Sequence, residues 1–168
     1  SQYFGTVIPE AYVGTLPVFQ FFIQNPTWFR DANGYVYQSK PSTWGSMFYN
    51  GVFYDNIQFR VRGQNSVYNN FPNQKFKIDF NDDNRFNFGD GRPTTGSINL
   101  DNVYQDPSYV RLTLASELYQ QSGALGNIML PVEARMNGNF YSLGIYSERY
   151  NGAYLDRVGL DDEGAVYE

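Results

Sequence analysis

The sequence predicts an α+β domain, an antiparallel sheet built on two β-hairpins with one main helix packed across it. Three observations carry this. Asn50-Gly51 and Asn137-Gly138 each stand between runs rich in aromatic and β-branched residues, and Asn-Gly is the dipeptide that best fits a two-residue type I′ hairpin turn. Residues 75–80 (KFKIDF) alternate strictly between polar and apolar, the period of a half-buried strand. One long stretch has helix signals at both ends, Asp106-Pro107 before it and Gly123 after it. At 168 residues and 42% hydrophobic content, the chain suits a single domain over residues 1–168.

Residues 16–23 (LPVFQFFI) have the composition of a strand, and Asn25-Pro26 ends it because proline cannot donate to a ladder. Residues 46–49 and 52–62 form the first hairpin. In the next strand Phe76, Ile78 and Phe80 face one side, so Lys75, Lys77 and Asp79 share the other. Residues 81–95 read as an exposed loop anchored by two phenylalanines, and residues 97–100 as a short strand. The helix is predicted from about 107 to 122, with Asp106 as N-cap and Pro107 in the first turn. Its inward stripe is Val110, Leu114 and Leu118, and Glu117 falls on that same side. Residues 128–136 and 139–148 form the second hairpin, and residues 151–158 a short helix.

Composition narrows the chemistry. There is no cysteine and no histidine, which excludes disulfides, thiolate nucleophiles, Ser-His triads and the usual zinc sites. Carboxylates, lysine, arginine and hydroxyls remain. A net charge of -5 with three lysines lacks the basic field behind most nucleic-acid affinity, so no nucleic-acid partner is expected. No run approaches the ~20 apolar residues of a membrane span. Much Tyr, Phe, Asn and Gln with little Lys is a composition of secreted or cell-surface proteins. A first residue of Ser and a strand-like ending at residues 164–168 suggest a mature or excised piece.

The candidate site is an anion site. Residues 59–66 (FRVRGQNS) lead from a strand into a small polar loop, and residues 75–80 return from it with lysines. Backbone N–H groups in such a loop can cradle phosphate, and a strand lysine can neutralise it. An ordinary turn with solvated lysines is the plain alternative. The spacing of acids from Asp79 to Asp90 has a calcium-loop look, but Asn84 stands where the loop needs glycine, so no metal ligand is assigned. Most aromatics alternate within strands, which core packing explains without a sugar ligand.

In their order along the chain, residues 53–63 (FYDNIQFRVRG), 71–80 (FPNQKFKIDF), 106–119 (DPSYVRLTLASELY), 137–148 (NGNFYSLGIYSE), 154–157 (YLDR) and 164–167 (GAVY) together resemble the CotH family, the spore-coat-protein-H-like atypical kinases of secreted proteins. The resemblance implies a protein-kinase-like N-lobe and the start of a hinge, with the catalytic and metal-binding aspartates in a C-terminal lobe outside this chain. No catalytic residue is therefore assigned. The implied nucleotide-binding residues are Arg62, Gly63, Asn65 and Ser66 in the loop, Lys77 or, second, Lys75 on the strand, Glu117 as the lysine's helical partner, and Glu148 toward the hinge. Asn65 stands where serine is more usual, and Asn73-Gln74 replace paired lysines. ATP and Mg²⁺ are the implied cofactors, acting only with the other lobe. The implied partners are the rest of its own polypeptide or a larger assembly, and a protein substrate. The function implied is a fragment of a secreted kinase that transfers phosphoryl groups from ATP to protein hydroxyls, inactive alone. The alternative is a noncatalytic extracellular structural or adhesion module with a kinase-derived fold.

Overall fold

The computed structural model describes residues 14–63 and 73–164. Seven strands occur in it: β1 (Val18–Ile23), β2 (Ser42–Tyr49), β3 (Val52–Arg62), β4 (Lys75–Asp79), β5 (Ser97–Asn102), β6 (Met129–Met136) and β7 (Asn139–Ser147). Two helices, α1 (Arg111–Gln121) and α2 (Gly152–Arg157), lie outside them. Both predicted hairpins form. Asn50 and Gly51 have φ of 48° and 81°, and Asn137 and Gly138 have 51° and 82°, the paired left-handed conformations that a type I′ turn demands.

The predicted antiparallel, kinase-like sheet is not what these strands build. They close into a mixed barrel in the order β1-β2-β3-β4-β5-β7-β6. Closure depends on β1, which pairs antiparallel with β2 and parallel with β6, Phe21 lying opposite Met136. A sheet with both edges joined has no unpaired N–H or C=O row left to protect. One register shift between Gly45 and Met47, across from Asn56 at φ 50°, changes the parity of β3 so that both Tyr54 and Ile57 point inward. Gly45 is needed there: a Cβ would lie 2.6 Å from the Phe22 carbonyl oxygen.

Aromatic side chains fill the interior. Phe19, Phe21, Phe59 and Phe76 are all fully buried; Phe19 meets Tyr49 at 5.1 Å and Phe21 meets Phe59 at 5.2 Å, both edge to face, the geometry that ring quadrupoles favour. The loop after β4 turns inward over one end of the barrel. Its anchor Phe86 is buried, stacks on Phe80 at 5.2 Å and is fixed by paired backbone hydrogen bonds with Thr95.

The helix is the second correction. The predicted stripe does not pack on the sheet: Val110, Leu114 and Leu118 are 44%, 52% and 66% exposed, and Ser116 is the buried residue of α1. The helix attaches by a hydroxyl instead. Ser116 Oγ accepts from Met129 N at 3.1 Å and donates to the Asn127 carbonyl at 2.8 Å. Its start is also later than predicted, because the Asp106 carboxylate accepts from the backbone N–H groups of both Ser108 and Arg111, closing a turn through Tyr109 at φ 59° before the helix begins.

Candidate functional site

Three neighbouring strands set out the site. Along β4 the apolar Phe76 and Ile78 are fully buried, so Lys75, Lys77 and Asp79 lie on the outside of the barrel, as the alternation predicts. Register brings Arg62 of β3 opposite Lys75, Arg60 opposite Lys77, and Gln58 opposite Asp79. On the other side Asn99 of β5 lies opposite Lys77 and Ser97 opposite Asp79. Arg60, Arg62, Lys75 and Lys77 thus stand together on one outer face, against the carboxylates of Asp79 and Asp101. In a chain of net charge -5 this is a local excess of positive charge.

The cations are already engaged. Arg62 Nη1 donates to both oxygens of Asp101 at 3.0 and 3.1 Å, and Lys75 Nζ lies 3.8 Å from the same carboxylate. Lys77 Nζ meets Asp79 at 2.7 Å. Asp101 is deeply set, its side chain 12% exposed, whereas those of Arg62 and Lys75 are 37% and 33% exposed. The end of β5 is tied to the start of β4 by a hydrogen bond from Asn102 Nδ2 to the Asn73 carbonyl. Gly144 on β7 permits close approach from the other side, where a Cβ would lie 3.1 Å from the Asp101 carbonyl oxygen.

Of the predicted site residues, Arg62 and Lys75 face each other where β3 ends and β4 begins, with Gly63 following Arg62 and Lys77 two residues along β4. Gly63 has φ 95°, a left-handed conformation suited to glycine as the chain leaves β3. Asn65 and Ser66 lie outside the described residues. Glu117 is exposed on α1, and its carboxylate makes no ion pair or hydrogen bond among the described residues. The structure does not bring it to Lys75 or Lys77, because the helix turns its Ser116 side, not its leucine side, to the barrel.

Glu148 is set elsewhere, at the end of β7. Its carboxylate is held by Arg157, Nε to Oε1 at 2.8 Å and Nη2 to Oε2 at 2.7 Å, and it accepts from Ile128 N at 3.0 Å. Arg157 also donates to the Gly126 carbonyl at 2.9 Å. This buried network fastens α2 to the segment that enters β6. Beside it, Arg92 pairs with Asp90 and lies over the rings of Phe88 and Tyr146 at 4.4 and 5.3 Å. The Asp90 carboxyl is held below its ordinary range, chiefly by its hydrogen bond with Arg92. Burial pushes the Tyr146 hydroxyl up to about 12, although Arg92 nearby acts against this.

Two partners escaped sequence reasoning. Asp101 was legible in principle, since Ser97, Asn99 and Asp101 alternate on one face once the strand is carried past Leu100. Arg157 as the partner of Glu148 was not, because that pairing depends on how α2 folds back.

A family model described as CotH kinase protein matches residues 59–168, well over half of the chain. The chain belongs to the CotH kinase family. A search of curated proteins gave no match. The matched region of this CotH family member begins inside β3 and takes in every cation of the site, while β1, β2 and the first part of β3 precede it. Among the described residues no helix is long and apolar enough to cross a membrane.

Proposed function

We propose that the outer face of β3 and β4 binds the phosphates of ATP, and that the chain contributes the phosphate-clamping part of a secreted CotH-type kinase acting on protein hydroxyls. The observation that carries this is the cation cluster itself. Arg60, Arg62, Lys75 and Lys77 occupy facing positions on two neighbouring strands, with Gly63 at a left-handed φ just past β3, inside the region matched to the family. Cations on rigid strands beside a polar loop are what a polyphosphate needs.

Phosphoryl transfer further needs Mg²⁺ bridging the phosphates and an acid to orient the nucleophile. The family resemblance assigns the metal-binding and catalytic aspartates to a C-terminal lobe, and this reading gives the described residues the phosphates alone. Turnover by this chain alone is therefore not expected. A second reading, a noncatalytic extracellular module, is favoured by one observation: each lysine of the face already has a carboxylate within 4 Å.

Thermal unfolding with ATP, with and without Mg²⁺, separates the two. Millimolar ATP is expected to raise the melting temperature of the wild type, by an amount equal to about 2.7 kcal/mol where ligand reaches a hundred times Kd, and Lys77→Ala is expected to abolish the rise. Melting temperatures that ATP leaves unmoved in both proteins would leave the noncatalytic reading.

A further inference from the structure

We propose that Asp101 is a built-in counter-anion occupying the place between Arg62 and Lys75 that a substrate phosphate takes, so that a polyphosphate binds by displacing a carboxylate. The inference rests on the phosphate-site reading above and adds to it a residue that sets the affinity.

Geometry and exposure carry it. One guanidinium nitrogen of Arg62 spans both oxygens of Asp101, and Lys75 lies behind at 3.8 Å, beyond hydrogen-bond length. A planar carboxylate with two acceptor oxygens facing a guanidinium and an ammonium is the arrangement that a phosphate offers to the same groups. Among the described residues, Asp101 receives its side-chain hydrogen bonds from Arg62 alone. The contrast with Glu148 is informative: that carboxylate takes two bonds from one arginine and a third from a backbone N–H, and so is fixed from several sides. Among the described residues, Asp101 is held only by the cations of the candidate site. It is less exposed than either of them, so a ligand arriving from solvent meets Arg62 and Lys75 first.

A carboxylate within about 4 Å of a bound phosphate repels it even at the dielectric constant of water, by an amount equal to about fivefold in binding. Binding of inorganic tripolyphosphate, followed by calorimetry on the whole chain, is therefore expected to tighten by at least about fivefold in Asp101→Asn. Asp162→Asn, which removes the same charge from an exposed position beyond α2, is expected to change it less than twofold. The double variant Arg62→Gln/Asp101→Asn removes the pair without stranding a buried charge. It is expected to bind more weakly than Asp101→Asn, because the phosphate then lacks its Arg62 contact. Asp101→Asn binding equal to or weaker than wild type, with its melting cooperative, overturns the proposal, and so does a double variant that binds as tightly as Asp101→Asn. If Lys77→Ala weakens tripolyphosphate binding while the Asp101 variants leave it unchanged, the phosphate site stands and the counter-anion role falls. If no protein in the series binds, both fall.

Discussion

Tyr146 shows how burial of a single hydroxyl ties stability to pH. Its ring packs in the interior against Phe86 and Phe88, and its hydroxyl is pushed up from an ordinary 10 to about 12 because an ionised phenolate there would lose its hydration. The folded protein thus holds this proton more tightly than the unfolded chain. The stability it contributes is fully present below pH 10 and is lost as pH rises from 10 toward 12. Two pH units of separation correspond to about 2 to 3 kcal/mol. Denaturant titrations across this range are expected to show a shallower alkaline decline for Tyr146→Phe than for the wild type; parallel curves would refute the assignment. The same scale explains what could be read at the site beforehand. Lys75 and Lys77 were legible as facing one side because alternation with Phe76 and Ile78 leaves a strand no other choice. Their carboxylate partners were not equally legible. Asp79 is two residues from Lys77, but Asp101 reaches Lys75 only through the pairing of β5 with β4.

The elements differ in what holds them. Hairpins state their pairing locally, in the turn dipeptide and the alternation on either side, and so both were readable. The helix α1 misled because its leucines repeat as a buried face would, yet its attachment is polar. That arrangement makes opposite predictions for neighbouring positions. Ser116→Ala removes the acceptor of Met129 N and the donor to the Asn127 carbonyl, and leaving such groups unpaired costs about 1 to 3 kcal/mol. Leu118→Ala, on the exposed side, is expected to change stability by less than about 0.5 kcal/mol. Urea denaturation of the two variants checks this order. A larger loss for Leu118→Ala would mean that the leucine face, not the serine, docks the helix.

At the scale of the whole molecule, the barrel depends on the seam between β1 and β6, the part of the fold that was least readable. Parallel pairing between distant strands leaves no turn and no local pattern; only the burial of inward residues such as Phe19, Phe21 and Ala134 after closure requires it. Asn137 fastens this seam. Its side chain accepts from Ile23 N at 2.9 Å and donates to the Ile23 carbonyl at 2.7 Å, and its backbone N–H donates to Phe21 at 2.8 Å. A residue chosen by the hairpin turn therefore also locks the barrel. Asn137→Gly separates the two roles, because glycine accepts the positive φ and keeps the backbone bond while deleting both side-chain bonds. It is expected to cost about 1 to 3 kcal/mol. The loss is expected to be uneven: amide hydrogen exchange should accelerate most at Ile23 and along β1, while β2 and β3, paired through their own hairpin, keep protection up to the new global limit. Uniform acceleration in every strand would show that the barrel opens only as a whole, and unchanged exchange at Ile23 would remove Asn137 from the seam.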